Sequence, residues 1–488
     1  MLIVALGAFL RIHDLGSESI WLDEGVSWEL SREGNALSVI HAALGDRHVP
    51  LHYLILHFMM IFGESEFILR FPSAIFGILM IPLIYKTGEY FFGKNEGLIS
   101  AFLLSISLMH LYYSQEARMY SQLAFFSLAS LYFFYRAMME NRKGLWAGFV
   151  VSILLCFYSH MYAIFVLGIL ALFYLLTQFQ LSPSKNLRIE AKDVKNARMF
   201  LLSLAAIFLL LLPIIPHIYR VGKTAGGIPW GIAPSINFVP IILTQFSTWN
   251  MATSCLFIIF FLCGVVASLN VHKEQIALLG LWFALPIAVS YISAGSMPFQ
   301  VRYIIFVLPV YLILISKGIT SVSKILYPTG KKPIPKGRRK ERRERKRKEK
   351  TASGQAMLVV AILLLFSLAS FHPLQGYYAT NQKTDLRATA TYIESHSHSG
   401  DVVAPLPGYI ARPLRYYYDN STDGTILIEA TPTTASDLTD FIARYDRVWF
   451  VLTADIYATG RGGEVINWLE SNSRLEKQYA GVYILLSE

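Results

Sequence analysis

The chain has 488 residues, of which 54% are hydrophobic and only 16% charged, and its mean hydropathy is +0.45. A soluble domain usually carries about 25% charged residues, so this composition excludes an ordinary soluble enzyme and indicates a membrane protein. The apolar residues form long, non-alternating blocks, which predicts a polytopic α-helical membrane protein rather than a β-barrel.

The net charge of +10 comes from one segment. The run KKPIPKGRRKERRERKRKEK, residues 331–350, holds 13 Lys or Arg and three Glu, and the rest of the chain carries 30 basic and 30 acidic side chains. A basic loop between two spanning helices is typical of the cytoplasmic side of a membrane, where it can also contact anionic lipid. RNA binding and a trafficking signal are the alternatives. We expect membrane lipid, and no nucleic acid, as a partner.

The chain opens with two apolar runs that are short for a bilayer. The first, MLIVALGAFLRI, has about twelve residues, so we expect either a start codon upstream of Met1 or a helix that begins at the edge of the bilayer. With a cytoplasmic N-terminus, this helix places the acidic pair Asp23 and Glu24 outside. The second, residues 49–62, is interpreted as an interfacial or re-entrant helix of the first outer loop.

Ten longer apolar segments follow and, with the first helix, predict about eleven spans. They lie at about 68–86, 97–113, 120–138, 145–159, 161–179, 199–217, 251–269, 275–293, 303–319 and 356–371. With this parity each cytoplasmic connection carries Lys or Arg, as the positive-inside rule requires. Counting 49–62 as a full span would place the basic run outside. We therefore predict a multi-pass cell-membrane protein with a cytoplasmic N-terminus.

The sequence changes character after the last span. Short apolar runs such as RVWFVLT alternate with helical patterns such as GEVINWLE, which predicts a small α/β domain of three layers. We therefore divide the chain into a transmembrane domain, 1–371, which contains the cytoplasmic loop 331–350, and an extracytoplasmic α/β domain, 372–488.

Three other motifs carry less information. The run LRYYYDN, residues 414–420, suits stacking on sugar rings but equally a core or a surface, and NST, 420–422, is an N-glycosylation pattern only in a host with that pathway. Of the three cysteines, Cys255 and Cys263 lie eight residues apart on one predicted helix, out of bonding reach. They predict neither a disulfide framework nor a structural zinc site.

Polar residues gather at the outer ends of the predicted spans: Asp23, Glu24, His48, His52, Arg70, Gln115, Glu116, Arg118, Tyr120, Arg302 and Tyr303. Any one of these is often an interfacial anchor, but acids and arginines together on one side suggest a site. A carboxylate such as Asp23 can accept a proton from an attacking hydroxyl or amine. The guanidinium groups of Arg70, Arg118 and Arg302 suit phosphate oxygens. A phosphate at headgroup depth with its tail in the bilayer is a polyprenyl-phosphate carrier.

The cofactor prediction is limited to an optional metal. His48 and His52 share a face at i, i+4 of a helix, and with Glu116 they could bind a divalent ion. A hydrogen-bonded helix end or a phosphate contact is the commoner role of such a pair. We find no Walker A or Rossmann fingerprint, so no nucleotide is expected.

Three segments, LRIHDLGSESIWLDEGVSWELS, HVPLHYLILHFMMIFGESEFILRFPSAIFG and YYSQEARMYSQ, resemble the C-type glycosyltransferase superfamily. The resemblance is greatest to dolichyl-phosphate-mannose-protein mannosyltransferase-like enzymes, which are similar to protein O-mannosyltransferases and to lipid A aminoarabinose transferase. It covers most of the membrane region and is strongest over residues 11–125. It implies transfer of a monosaccharide, a hexose such as mannose, from dolichyl- or undecaprenyl-phosphate to an extracytoplasmic protein, lipid or glycan, with inversion of the anomeric centre.

The resemblance also implies roles for single residues. The family's outer acidic motif falls on Asp23 and Glu24, with Asp23 as the general base, and its second acidic position falls on Glu116. We accordingly predict that the catalytic residues are Asp23, Glu24 and Glu116, and that the lipid phosphate and sugar are bound by His48, His52, Arg70, Arg118, Tyr120, Arg302 and Tyr303. His48 stands where the aminoarabinose transferase carries a Glu-Lys pair, so a metal held by His48 and Glu116 is left open.

Other functions remain as alternatives. One is transfer of a whole oligosaccharide, or of a non-sugar group, from the lipid phosphate. Another is a lipid-linked substrate transporter or flippase. Transporters tend to place charges near the bilayer midplane within related repeats. In this sequence the charges lie at outer helix ends, no internal repeat is visible, and a large outer domain follows.

Overall fold

The computed structural model describes residues 1–182, 188–191, 193–224, 231–295, 297–328, 338–380, 382–418, 426–428, 434–459 and 462–487. Within these ranges, seventeen helices precede the C-terminal domain, which keeps here the name outer domain from its predicted side of the membrane: α1 Leu2–Ile12, α2 Leu22–Ser31, α3 Ala36–Gly45, α4 Leu51–Met59, α5 Glu66–Phe92, α6 Lys94–Ser105, α7 Leu108–Ser114, α8 Tyr120–Glu140, α9 Lys143–Ser159, α10 Ala163–Gln178, α11 Val194–Leu211, α12 Ile215–Thr224, α13 Phe238–Ser247, α14 Met251–Ser268, α15 Lys273–Ser293, α16 Leu308–Leu326 and α17 Arg338–Ala379. A hairpin of strands β1, Phe179–Ser182, and β2, Arg188–Ala191, follows α10. Short 3₁₀ turns lie at Met60–Phe62, Leu212–Ile214 and Val301–Val307.

Six described helices are long and apolar enough to cross a membrane by themselves: Glu66–Phe92, Val194–Thr224, Met251–Ser268, Lys273–Ser293, Val301–Leu326 and Arg347–Ala379. The pair α6 and α7, bent by 60°, makes a seventh if it is one span. Each of the ten predicted segments from 68–86 onward coincides with a helix or a helix pair. The total of about eleven crossings stays a prediction, since α1, α9 and α10 are shorter apolar helices.

The first outer loop folds into three short helices, α2, α3 and α4. The third, Leu51–Met59, has nine residues. At 1.5 Å per residue it is far shorter than the roughly 30 Å of the hydrocarbon layer. It packs against both α2 and α3, and its residues Tyr53 and Leu56 are fully buried. Short length and packing within the loop are what an interfacial helix requires.

The basic segment differs from the sequence prediction of a loop. Residues 338–350 are helical and form the first part of α17, which continues to Ala379 rather than stopping at residue 371. Lys, Arg and Glu are good helix formers, and an i, i+4 pair joins Arg345 to Glu349 at 3.2 Å. Residues 331–337 lie outside the described ranges.

Helices α14 and α16 cross at close range. A Cβ atom on Gly264 would lie 1.9 Å from the carbonyl oxygen of Leu314, and one on Gly318 would lie 1.9 Å from that of Phe260. Such approach is typical of small residues at membrane helix crossings. It fixes α16, whose preceding 3₁₀ turn carries Arg302 at the outer end.

The outer domain contains a five-stranded mixed sheet in the order β4-β3-β5-β7-β6. Its strands are β3 Val402–Leu406, β4 Ile426–Leu427, β5 Val448–Thr453, β6 Arg474–Tyr479 and β7 Val482–Ser487, and its helices are α18 Leu386–His396, α19 Ala411–Tyr418, α20 Ala435–Ile442 and α21 Gly462–Asn472, with 3₁₀ turns at Gly408–Ile410 and Ala454–Thr459. Strand β3 runs parallel to β4 and β5, whereas β7 is antiparallel to β5 and β6. One core joins the sheet to α18 and α19, and a second joins it to α20 and α21. The sheet with helices on both faces has the three layers that the sequence predicts.

Candidate active site at the outer helix ends

Helix α2 presents the acidic pair in its first turn. It begins directly after Trp21, so Asp23 and Glu24 lie at the positive end of the helix dipole, which favours carboxylates. Consecutive helical residues point about 100° apart, and the two side chains therefore meet different surroundings. The Asp23 side chain is 22% exposed, whereas that of Glu24 is fully buried.

Glu24 forms a buried ion pair with Arg70 of α5. The Nε and Nη2 atoms of Arg70 donate to the two carboxylate oxygens, each at 2.8 Å. The remaining N–H groups of Arg70 donate to the backbone carbonyls of Leu15, Glu18 and Ser19. All five guanidinium donors are thus used, so the structure argues against the predicted role of Arg70 as a phosphate ligand.

Two further donors complete the surroundings of Glu24. Lys383, in the segment that leads into the outer domain, lies 3.1 Å from one carboxylate oxygen, and the amide of Ala117 donates to the other at 2.8 Å. Burial opposes ionisation of Glu24, but Arg70 and Lys383 outweigh it and lower its pKa to about 2. This carboxylate therefore positions its neighbours and is poorly suited to accept a proton, contrary to the predicted catalytic role.

Asp23 faces Arg302, which lies at the start of the 3₁₀ turn Val301–Val307. Its Oδ2 lies 3.2 Å from Nη2 of Arg302. The guanidinium of Arg302 is surrounded by aromatic rings, with its central carbon 5.6 Å from the centroid of Trp21, 5.4 Å from that of Tyr120 and 5.8 Å from that of Tyr303. Aromatic faces stabilise a cation while leaving its N–H groups available to an anion. This contact brings together residues that lie far apart in the sequence.

Arg118, in the connection between α7 and α8, contacts the same turn of α2. Its Nη1 donates to the backbone oxygen of Asp23 and to the hydroxyl of Ser27, both at 3.1 Å. Within the described residues, Nε of Arg118 and Nε of Arg302 are buried and have no hydrogen-bond partner. Unsatisfied buried guanidinium donors are costly, so these two atoms suit an incoming anion.

Glu116 is a fully buried acid beside this pair. Neither carboxylate oxygen has a hydrogen-bond partner among the described residues. Burial raises its pKa to about 7, although Lys383 and Arg302 favour its charged form. Glu116 is therefore an acid that changes charge near neutral pH.

Of the two predicted site histidines, His52 is buried and His48 is half-buried. Burial, with Arg118 nearby, holds the pKa of His48 well below its usual range and lowers that of His52 to about 4. His52 places Nε2 3.1 Å from the carbonyl oxygen of Ala117, so this hydrogen bond ties α4 to the connection between α7 and α8. Across the described part of the chain, no group of three or more His, Cys, Asp or Glu side chains is arranged to hold a metal. The described residues do not complete the optional metal site of His48 and Glu116.

The structure thus separates the predicted site residues into two sets. Eight belong to one cluster around the contact of Asp23 with Arg302: Asp23, His48, His52, Glu116, Arg118, Tyr120, Arg302 and Tyr303. Glu24 and Arg70 form the buried pair beneath it. Sequence reasoning missed Lys383 and His160, whose ring lies 5.9 Å from that of Tyr303. The one available signal for Lys383 was a charged residue directly after the last span.

The aromatic run of α19 has a different role from sugar stacking. The hydroxyl of Tyr417 donates to Glu66 and accepts from the amide of Ile20, and Tyr416 donates to the carbonyl of Glu64. These tyrosines join the outer domain to the first outer loop. Residues 419–422, with the NST pattern, lie outside the described ranges.

Comparison with known proteins supports the assignment of the fold. Residues 47–220, about a third of the chain, match the family model of dolichyl-phosphate-mannose-protein mannosyltransferase. The fold resembles ArnT from Cupriavidus metallidurans bound to undecaprenyl phosphate, with 14% identity, a TM-score of 0.58, and coverage of 99% of this chain and 97% of that one. No curated protein sequence matches the chain significantly.

A second solved structure is similar over the whole chain. It is the archaeal oligosaccharyltransferase AglB from Archaeoglobus fulgidus in complex with an inhibitory peptide and a dolichol-phosphate, with 11% identity, a TM-score of 0.61, and coverage of 100% of this chain and 74% of that one. The chain therefore shares its fold with these two solved proteins. The predicted resemblance to the C-type glycosyltransferase superfamily is confirmed, and over residues 47–220 it extends to the mannosyltransferase family model.

Proposed function

We propose that the protein transfers a single sugar from a polyprenyl phosphate to an acceptor outside the membrane, with Asp23 as the general base. The contact between Asp23 and Arg302 is the observation that carries this proposal. A carboxylate next to an arginine supports a proton acceptor at Asp23 beside a phosphate-binding cation at Arg302. The mannosyltransferase family match favours a hexose such as mannose as the donor sugar.

The donor phosphate would replace the carboxylate of Asp23 on Arg302. The unpaired Nε atoms of Arg302 and Arg118 offer charge-assisted hydrogen bonds to its oxygens. Neutral His48 can donate one ring N–H to the phosphate without adding charge. The single N–H of neutral His52 already donates to the carbonyl oxygen of Ala117. The apolar tail would follow the outer ends of the spanning helices into the bilayer.

Release of Asp23 from Arg302 frees it to accept a proton. The acceptor hydroxyl would transfer its proton to Asp23 as its oxygen attacks the anomeric carbon. The bond from that carbon to the phosphate oxygen breaks, and the polyprenyl phosphate leaves as an anion held by the two arginines. Attack opposite the leaving phosphate inverts the anomeric centre. Glu24 and Arg70 hold α2 so that Asp23 faces Arg302.

Purified protein in nanodiscs would test this proposal with radiolabelled polyprenyl-phosphate mannose, polyprenyl-phosphate glucose and a lipid-linked oligosaccharide. We expect the wild type to release polyprenyl phosphate from a monosaccharide donor, and Asp23→Asn to release it roughly 10²–10⁴-fold more slowly. Asp14→Asn, a change at an exposed residue of the same loop, is the matched control. Movement of intact lipid-linked sugar across vesicles, without cleavage in either protein, would instead identify a flippase.

A further inference from the structure

A groove next to Asp23 and Arg302 has no role in the proposed donor chemistry. It has a volume of about 680 Å³ and lies between the outer ends of α7, α13 and α14. Its walls include Tyr112, Tyr113, Gln245, Trp249, Gln300 and Gln382. Among the described residues that line it, none is charged. The uncharged lining of the groove therefore differs from the nearby ion pair of Asp23 and Arg302.

Two wall residues of the groove, Tyr113 and Gln300, lie close to the contact of Asp23 with Arg302. Gln300 immediately precedes the 3₁₀ turn that carries Arg302. The ring of Tyr113 lies 5.1 Å from that of Tyr120, which in turn lies against Arg302. A molecule in the groove would therefore have one end beside the ion pair of Asp23 and Arg302.

The lining combines flat aromatic faces with amide groups. Tyr112 and Trp249 place their ring centroids 5.4 Å apart. The backbone of Trp249 has φ of +58°, a conformation that a bulky aromatic residue rarely adopts. Its indole N–H donates to the carbonyl of Gln245 at 3.1 Å. Strain of this kind persists where the surrounding structure holds a side chain in place, and it is concentrated at ligand sites.

We infer that this groove binds the acceptor and that the acceptor is a neutral saccharide, an inference that rests on the proposed function. Aromatic faces bind the C–H faces of sugar rings, and amides of Gln245, Gln300 and Gln382 suit hydroxyl groups. A phosphorylated acceptor would leave its charge without a countercharge there. The acceptor hydroxyl passes its proton to Asp23, its oxygen bonds to the anomeric carbon, and the polyprenyl phosphate departs.

Acceptor competition would test the inference in nanodiscs with a radiolabelled polyprenyl-phosphate sugar. Hexyl mannoside, its 6-phosphate and a serine-rich peptide are offered as acceptors, and donor hydrolysis without acceptor is measured separately. We expect label on hexyl mannoside. Trp249→Ala and Gln245→Ala should raise its KM on the order of ten-fold, with donor hydrolysis unchanged. Tyr457→Ala, at an exposed tyrosine of the outer domain, is the control.

The outcomes separate the two claims. Preferential labelling of the peptide or of the phosphorylated glycoside, or an unchanged KM in both groove variants with normal donor hydrolysis, would overturn the groove inference alone. Absence of donor cleavage by the wild type would overturn the proposed function and this inference with it. Two variants are used because Trp249 holds its own loop and its replacement could impair folding.

Discussion

The adjacent carboxylates Asp23 and Glu24 have different neighbours because consecutive helical residues point about 100° apart. Glu24 is buried and its negative charge is matched by Arg70 and Lys383. Asp23 is partly exposed and faces a single arginine that lies among aromatic rings. In the proposed function, Asp23 is therefore the carboxylate that exchanges its arginine partner for substrate.

Loss of the buried pair should lower stability strongly. In Glu24→Gln the guanidinium of Arg70 remains buried without a counterion, which typically costs about 3–5 kcal/mol. Thermal unfolding of the purified protein should show a clear fall in Tm, whereas Glu33→Gln, at an exposed residue just after α2, should leave it unchanged. Equal Tm values for both variants would show that the pair contributes little.

Glu116 predicts a pH-dependent difference in stability. Its pKa is raised by burial from 4.5 to about 7 in the folded protein. Between these values the folded state binds more protons than the unfolded chain, so stability decreases as pH rises through this window. The cost at pH 8 is about 3 kcal/mol. Glu116→Gln removes it.

The measurement is Tm at pH 5 and pH 8. The Tm of Glu116→Gln relative to the wild type should increase from pH 5 to pH 8, while that of Glu470→Gln, an exposed acid on α21, should not change. A constant difference for Glu116→Gln would mean that the carboxylate is already ionised at pH 5.

For single residues, the sequence predicted which side chains lie close together but not which hydrogen bonds they form. Asp23, Arg118 and Arg302 could be grouped because each lies at an outer helix end. The N–H groups of Arg70 bond to Glu24 and to three backbone carbonyls because α5 packs against a loop some 50 residues earlier in the chain. Hydropathy carries no information on such contacts.

Among the elements, the short helix α4 decides the orientation of every later helix. If the chain stays outside through residues 22–65, position 17 is external and position 350 is cytoplasmic. In a cysteine-free background, Ser17→Cys should react with an impermeant maleimide on intact cells, and Lys350→Cys should react only after permeabilisation. Both positions are exposed in the structure. Labelling of Lys350→Cys from outside would contradict this topology.

Apolar length and periodicity predicted the position of the long helices well, because each such segment must satisfy its own backbone in lipid. They failed at the basic segment. A run of Lys and Arg was interpreted as a loop, yet residues 338–350 continue into α17. Charge gives the side of the membrane, whereas helix propensity and the pairing of Arg345 with Glu349 decide the local structure.

In the whole molecule, the outer domain rests directly on the helix that carries Asp23. A Cβ atom on Gly25 would lie 2.7 Å from Cα of Pro413 in α19. Lys383 and the pair of Arg387 with Glu66 at 2.6 Å add charged contacts to the same interface. The domain therefore supports the site as well as covering it.

Separation of α19 from α2 should impair the site. Gly25→Ala forces the outer domain or α2 to move, at a cost of about 1–3 kcal/mol, and should lower both Tm and transfer activity. The control is Gly45→Ala, because a Cβ atom there meets nothing within 4 Å. Normal activity in Gly25→Ala would show that docking of the domain does not position Asp23.

The donor kinetics of Asp23→Asn directly test the proposal that Asp23 is the general base. Release of polyprenyl phosphate from a labelled polyprenyl-phosphate sugar should fall by roughly 10²–10⁴ in kcat, because the general base is lost. The donor KM should change little, since Arg118 and Arg302 still bind the phosphate. A wild-type kcat in this variant would contradict the account and exclude Asp23 as the base.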